Sequence, residues 1–288
     1  MTHTANDYYV PHGSYWPIVA AIAMFITVIG AALWFNGELN GRMVLFIGLG
    51  LIAFMMFGWF GTVIRENLKG VYNEQVDRSF RQGMMWFTFS EVMFFAAFFG
   101  ALFYARVLSV PWLLGMDSGF TTHEVLWQGF SEAWPTNGPG DVGGEFEPMG
   151  PWGIPALNTL LLLSSGVTIT LSHWALKAGD RGKSVLWLIA TVLLGLTFLG
   201  FQAYEYIHAY TEMDLTLASG IYGSTFFMLT GFHGMHVTIG TIMLIVIALR
   251  AAKGHFTADD HFAFEGVAWY WHFVDVVWLG LFIFVYVL

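Results

Sequence analysis

Three ionisable residues lie within an apolar run near the end of the chain. Residues 262–288 are long and apolar enough to span a bilayer, yet they contain Glu265, His272 and Asp275. Ionisable groups in hydrocarbon are costly, and those that occur inside membrane helices commonly handle protons or bind a partner. At 3.6 residues per turn these positions fall near one helical face together with Trp269. We therefore expect that face to point into protein and the rest of the helix to face lipid.

Two further acids occur in apolar runs. Glu91 lies in FTFSEVMFFAAFFG, about 16 Å from the start of its span. Two interpretations of Glu91 stand: a carboxyl group hydrogen-bonded to a neighbouring helix, or an acid that handles protons or regulates the protein. Glu205 lies in FQAYEYIHAY near the end of another span, where we expect it to be exposed at the membrane interface.

His233 and His236 are three residues apart, so they share a helical face, and Gly231 and Gly234 beside them favour close approach of another helix. Such a pair could bind a metal or haem, but haem needs ligands from opposed helices and no matching His pair occurs elsewhere. We predict hydrogen bonds between helices and no metal site on this chain. Glu91, His236 and His272 lie at similar estimated depths in the bilayer, measured along their spans. We therefore predict one buried polar cluster, made of Glu91, His233, His236, Glu265, His272 and Asp275.

Composition places the chain in a membrane. Of its 288 residues, 57% are hydrophobic and only 11% are charged, against roughly 25% in soluble domains. The chain contains no Cys, which excludes disulfides and thiolate metal sites. The net charge of -9 argues against a nucleic-acid partner.

Apolar segments of span length predict an all-α, polytopic membrane protein with seven transmembrane helices. The predicted spans are 16–35, 43–64, 80–108, 155–176, 185–210, 220–250 and 262–288.

The distribution of basic residues predicts the orientation. Of the 11 Lys and Arg residues, all except Arg42 and Arg106 fall in or beside the connections that follow the second, fourth and sixth spans. With seven spans, these three connections lie on the same side of the membrane. By the positive-inside rule that side is cytoplasmic, the N-terminus is inside and the C-terminus is outside. The outer segment 109–154 has no Lys or Arg, and we predict a short interfacial helix at about 121–133 within it. This segment is either a solvated loop or an acidic surface that docks another protein.

A lipid site is predicted where the second span ends, in GWFGTVIRE. Trp59, Arg65 and Glu66, together with Arg250 after the sixth span, supply an aromatic ring at headgroup depth and cations for a phosphate. Ordinary snorkelling of the long side chains is the alternative interpretation.

Several segments together resemble subunit III of the aa3-type haem–copper cytochrome c oxidases. They cover nearly the whole chain, and the last two are the most specific: GWFGTVIRE, SEVMFFAAFF, LNTLLLLSSGVTITLSHWAL, LGFQAYEY, IYGSTFFMLTGFHGMHVTIGT and HFAFEGVAWYWHFVDVVWL. Trp174 departs from the family, which often has a second His there, so this chain has a single His, His173, at that place.

The resemblance implies a two-helix arm and a five-helix bundle with a cleft that holds phospholipids. The corresponding division is 1–66 for the tail and arm, 67–79 for a cytoplasmic connection, and 80–288 for the bundle. Glu91 matches the family's carbodiimide-reactive carboxylate. The lipid residues above fall at or near the family's headgroup positions.

The implied function is that of a non-redox core subunit of a proton-pumping respiratory oxidase, which passes electrons from cytochrome c to O2. Haem a, haem a3 and copper would lie in partner subunits I and II, with none on this chain. The family role is to support proton uptake, turnover stability and lipid binding.

Two other functions remain open from the sequence. One is a stand-alone proton or ion transporter using Glu91, His236 and His272. The other is the equivalent subunit of a quinol oxidase, which usually has fewer spans. The length of the acidic segment 109–154 leads us to expect a bacterial inner (plasma) membrane.

Overall fold

The computed structural model describes residue 9 and residues 13–116, 120–131 and 133–288. Across these residues the secondary structure is helical and contains no strand. The α-helices are α1 (Trp16–Phe35), α2 (Gly41–Leu68), α3 (Glu74–Phe103), α4 (Val110–Leu113), α5 (Phe120–Leu126), α6 (Ile154–Lys177), α7 (Arg181–Glu212), α8 (Gly220–Ala252) and α9 (Phe262–Leu281). A π-helical segment, Tyr104–Ser109, continues α3 into α4, and another, Phe282–Val287, continues α9.

The prediction of an all-α protein with seven spans is confirmed. Seven helices among the described residues are long and apolar enough to cross a membrane. Four of them begin earlier than predicted. The difference is one residue at Ile154. The other three begin at Gly41, Glu74 and Arg181, where polar residues in the first turn lower the local hydropathy. The third span is the longest at 40 residues, or about 60 Å, so it exceeds the hydrocarbon thickness of about 30 Å.

The chain divides into two compact units, Met1–Phe80 and Arg81–Leu288. In the first unit α1 and α2 pack as a hairpin, and glycines let their backbones approach closely. A Cβ atom built on Gly48 would lie 2.7 Å from the Cα of Thr27. A hydrogen bond also links the two helices: the Nε1 of Trp16 in α1 donates to the Oγ1 of Thr62 in α2 at 3.2 Å.

In the second unit α6 packs against α7 and α9, and α8 packs against the same two helices. Trp271 of α9 is fully buried between these helices. A Cβ on Gly195 of α7 would lie 2.8 Å from the indole, and one on Gly240 of α8 would lie 2.9 Å from it. The indole Nε1 donates to the Oγ of Ser165 in α6 at 2.8 Å, so one side chain joins four helices.

The glycines that permit close packing in α8 are not the ones predicted. Gly234 has open space where a Cβ would stand, and a Cβ on Gly231 would make only an ordinary contact with Tyr206. Gly240, two turns further along, makes the close approach because it faces the indole of Trp271. The expectation for Gly231 and Gly234 is therefore wrong.

α3 contacts the other helices of its unit mainly through long aromatic side chains. Phe94 meets Phe232 of α8, with ring centroids 5.0 Å apart, and Phe95 meets Phe273 of α9 at 6.0 Å. Polar groups on α3 therefore lie among aromatic rings.

The segment between α4 and α6 folds onto the start of α8. The backbone N–H of Tyr222 donates to the carbonyl of Thr136, and the Tyr222 hydroxyl accepts from the N–H of Met149. The helix predicted at about 121–133 is shorter, Phe120–Leu126. Asp117 and Glu132, two acids of this segment, lie outside the described residues.

Candidate functional site

Glu91 and His236 form a polar pair inside the second unit. The Oε2 atom of Glu91 on α3 lies 2.9 Å from the Nε2 atom of His236 on α8. The carboxylate side chain is 22% exposed and the imidazole 6%. The rings of Phe94, Phe95 and Tyr270 lie within 6.2 Å of the imidazole, centroid to centroid.

The geometry of this pair requires a shared proton. The Nδ1 of His236 lies 2.7 Å from the carbonyl oxygen of Phe232, which can only accept, so Nδ1 carries a hydrogen. If the imidazole is neutral, Nε2 is then an acceptor and the carboxyl of Glu91 must donate. If it is cationic, Nε2 donates to the carboxylate. In both states one proton lies between the two side chains.

A second polar group lies where α6 ends and α9 begins. Glu265 of α9 forms an ion pair with Arg81 of α3 through its Oε2 atom. Its Oε1 atom lies 3.6 Å from the Nε2 of His173 and 3.3 Å from the Nε2 of His261. Of these four residues the sequence singled out only Glu265. Arg81 and His173 come from distant parts of the chain, and His261, four residues before Glu265, lies outside the predicted span.

His272 and Asp275 form a third polar group, facing α6. The Nδ1 of His272 lies 3.6 Å from the Oδ2 of Asp275, and its Nε2 lies 3.4 Å from the Oγ1 of Thr170. Asp275 is buried, while the His272 side chain is 47% exposed in this chain. The two residues line an open apolar groove between α6 and α9, whose walls include Val167 and Leu279.

The six residues predicted as one cluster thus fall into separate contact groups. His233 is buried by itself and donates from Nε2 to the carbonyl of Val274, 3.2 Å away. The physical reason is the phase of α9. Tyr270 and Phe273 face α3 and α8, whereas His272 and Asp275 face α6. Similar depth in the bilayer does not place two side chains on the same side of a helix.

Glu205 corrects another expectation. It was expected to be exposed, but its side chain is buried, with 1% of the residue accessible. The hydroxyl of Tyr286, in the π-helical segment after α9, donates to the Oε1 of Glu205 at 2.5 Å. A residue near the end of a span is buried here because the last helix extends alongside it.

The predicted lipid residues of the first unit lie at the end of α2. Trp59 is 49% exposed. Arg65 donates from Nε to the carbonyl of Gly61, and Glu66 accepts from the hydroxyl of Tyr72 at 2.7 Å. Burial, and then the hydrogen bond to Glu66, raises the pKa of Tyr72, so this phenol stays a donor at physiological pH.

Arg250, the fourth predicted lipid residue, lies at the end of α8 in the other unit. Its guanidinium carbon is 4.5 Å from the ring centroid of Phe256, and the residue is only 8% exposed. A cation stacked on an aromatic face is held in one position, unlike a snorkelling side chain.

Comparisons with known proteins extend over the whole length of the chain. A family model described as Cytochrome c oxidase subunit III matches residues 6–288. The chain is 40% identical over 287 residues to Cytochrome c oxidase subunit 3 of Latimeria chalumnae, covering 99% of this chain and 98% of the relative. It is 42% identical over 282 residues to the protein of the same name from Marchantia polymorpha, covering 98% and 96%. The Arabidopsis thaliana protein of that name is 41% identical, again over 282 residues, with the same coverage. The chain therefore belongs to the cytochrome c oxidase subunit III family and is a multi-pass membrane subunit of that oxidoreductase complex.

Proposed function

We propose that this chain supports proton uptake and turnover stability in the oxidase without carrying out redox chemistry itself. In this family haem and copper belong to other subunits, and we assign haem a, haem a3 and copper to subunits I and II. Cytochrome c would reach this chain only indirectly, through the complex. The hydrogen bond between Glu91 and His236 carries the proposal, because it places an exchangeable proton among apolar side chains.

Matched variants in the assembled oxidase test this role. Glu91→Gln keeps the shape of the side chain and removes its ability to ionise. We expect unchanged haem content, slower proton uptake and a catalytic lifetime several-fold shorter, since the proton shared with His236 is lost. Glu145→Gln makes the same chemical change at an exposed position of the segment before α6 and should leave all three measurements unchanged.

The measurements are the haem-to-protein ratio, proton uptake by oxidase in vesicles, and activity followed until the enzyme inactivates. Loss of haem from Glu91→Gln would contradict a supporting role, because it would make the residue necessary for cofactor assembly. Unaltered proton uptake and an unaltered catalytic lifetime would show that Glu91 has no part in the proposed role.

We also propose two phospholipid contacts, one at Trp59, Arg65 and Glu66 and one at Arg250. The exposed indole of Trp59 and the exposed guanidinium of Arg65 at the end of α2 suit a headgroup and its phosphate. For location we propose a bacterial inner membrane, on the length of the acidic segment 109–154, with the N-terminus cytoplasmic and the C-terminus periplasmic.

A further inference from the structure

His272 faces outwards from the second unit, near the middle of the last span. Its side chain is 47% exposed, and with Asp275 it lines the groove between α6 and α9, the α6–α9 groove. The Glu91–His236 pair lies on the other side of α9, so the role proposed for that pair does not involve this groove. We propose that the α6–α9 groove docks a transmembrane helix of another oxidase subunit, which presents an uncharged hydrogen-bond acceptor to His272.

Lipid alone is a poor occupant of the α6–α9 groove. Ionisable side chains inside a membrane span almost always face protein or a water-filled cavity, because acyl chains cannot hydrogen-bond with them. The polar contacts of the imidazole with the described residues are long: Nδ1 lies 3.6 Å from the Oδ2 of Asp275, and Nε2 lies 3.4 Å from the Oγ1 of Thr170. An N–H···O hydrogen bond usually measures about 2.9–3.0 Å. A partner that brings a closer acceptor to His272 therefore stabilises it in a way that lipid cannot.

The protons of the His272–Asp275 pair determine what the partner has to supply. Thr170 donates its hydroxyl hydrogen to the carbonyl of Gly166 at 2.9 Å, so its oxygen accepts from the Nε2 of His272. Nε2 therefore carries a hydrogen, and a second proton lies between Nδ1 and the carboxyl of Asp275, because two facing acceptors would repel each other. Whichever of the two groups holds that proton, the pair has no net charge. A charged partner side chain would lie in the membrane without a counter-ion, so the complementary group is an uncharged acceptor.

The walls of the α6–α9 groove have the features of an interface between membrane helices. On α6, Gly166 and Thr170 lie one helical turn apart, and both are small. A Cβ on Gly166 would collide with the carboxyl of Asp275, so the glycine is what admits that carboxyl to the groove. Val167 and Val276 also line the groove and are 60% and 68% exposed. Small residues that allow close approach, apolar side chains beside them and a polar contact between the helices are typical of such interfaces.

Retention of this chain in the purified oxidase tests the docking surface. The complex is incubated with increasing detergent, and the chain that stays with it is measured per haem after size-exclusion chromatography. His272→Leu removes the hydrogen-bonding groups, and we expect about threefold more release of the chain at a given detergent concentration, the effect of one hydrogen bond between membrane helices. His272→Gln keeps an N–H donor and should restore part of the retention. His208→Leu is the matched control, since His208 pairs with Glu212 on α7, and it should be retained like the wild type.

Crosslinking identifies the occupant of the groove. The photoreactive residue p-benzoylphenylalanine is incorporated at Val276 in the assembled oxidase, and the crosslinked peptide is identified by mass spectrometry after irradiation and digestion. We expect a membrane-spanning peptide of another subunit, and this result decides alone if His272→Leu does not assemble. A crosslink only to phospholipid, or to another part of this chain, would overturn the proposal. Equal retention of His272→Leu and the wild type would also overturn it, as would equal release of His208→Leu.

Discussion

Arg250 shows that a predicted lipid cation can also be a packing group. Its guanidinium lies over the ring of Phe256 and little of it is exposed. A fixed cation near a headgroup attracts an anionic lipid by about 1 kcal/mol, or about fivefold in affinity. Packing alone would contribute to stability and leave bound lipid unaffected.

We expect Arg250→Ala to lower the amount of anionic phospholipid that co-purifies with the oxidase, measured as lipid phosphate per haem. Arg42→Ala is the control, because Arg42 is stacked on Trp34 in the other unit, at the first turn of α2. Arg250→Lys should keep part of the bound lipid. Unchanged lipid together with a lower unfolding temperature would assign Arg250 to packing alone.

At the residue scale, sequence identified ionisable groups well and their partners poorly. Glu91 stands out because placing an acid inside an apolar run costs free energy, and such a run can be recognised in the sequence without a structure. His173, His261 and Arg81 were not associated with Glu265, because the four residues come from three helices and a connection. Glu205 was misjudged because its burial depends on Tyr286, more than eighty positions further along the chain.

At the scale of helices, small residues decide how closely two backbones pack. Gly48 and Gly50 lie on the same helix, α2, and differ only in their surroundings. A Cβ on Gly48 would collide with the backbone of α1 at Thr27, whereas a Cβ on Gly50 would meet nothing within 4 Å.

We expect Gly48→Ala to destabilise the α1–α2 hairpin by about 1–3 kcal/mol, because the helices must move apart. Gly50→Ala should be neutral or slightly stabilising, since alanine favours helix by about 1 kcal/mol. Circular dichroism of the purified chain during heating in detergent measures both variants. Equal unfolding temperatures would show that the close approach contributes nothing to stability.

The positions of the membrane-spanning helices could be predicted from the sequence, but the glycines that allow close helix packing could not. Long apolar runs locate a span wherever it packs, so seven spans were found, with errors of a few residues at both ends of the helices, such as the second span, which ends at Leu68, and the third, which ends at Leu113. The packing role of a glycine depends on what lies opposite. Gly240 differs from Gly234 only because the indole of Trp271 faces it, and no local pattern contains that information.

At the scale of the whole molecule, orientation follows from charge and can be measured directly. The chain contains no Cys, so a single introduced cysteine is the only thiol on it. Labelling of that thiol therefore shows on which side of the membrane the substituted residue lies. Glu145 and Asp259 are exposed acids on opposite predicted sides of the membrane.

We expect a membrane-impermeant maleimide to label Glu145→Cys in intact right-side-out vesicles. Asp259→Cys should react only after the vesicles are opened, because the positive-inside rule places it in the cytoplasm. Labelling is read on this chain after gel separation, with the unsubstituted chain as the blank. The reverse pattern would invert the proposed topology.

The fit of Trp271 against Gly195 and Gly240 has a consequence for biogenesis. α7 and α8 precede α9 in the chain, so they enter the bilayer before the indole that lies against both of them. Until the last span arrives, the two earlier helices lack the ring that sets their final spacing. Native packing of this region is therefore completed only once synthesis has passed Trp271, and a nascent chain halted before that point would hold α7 and α8 in a different arrangement.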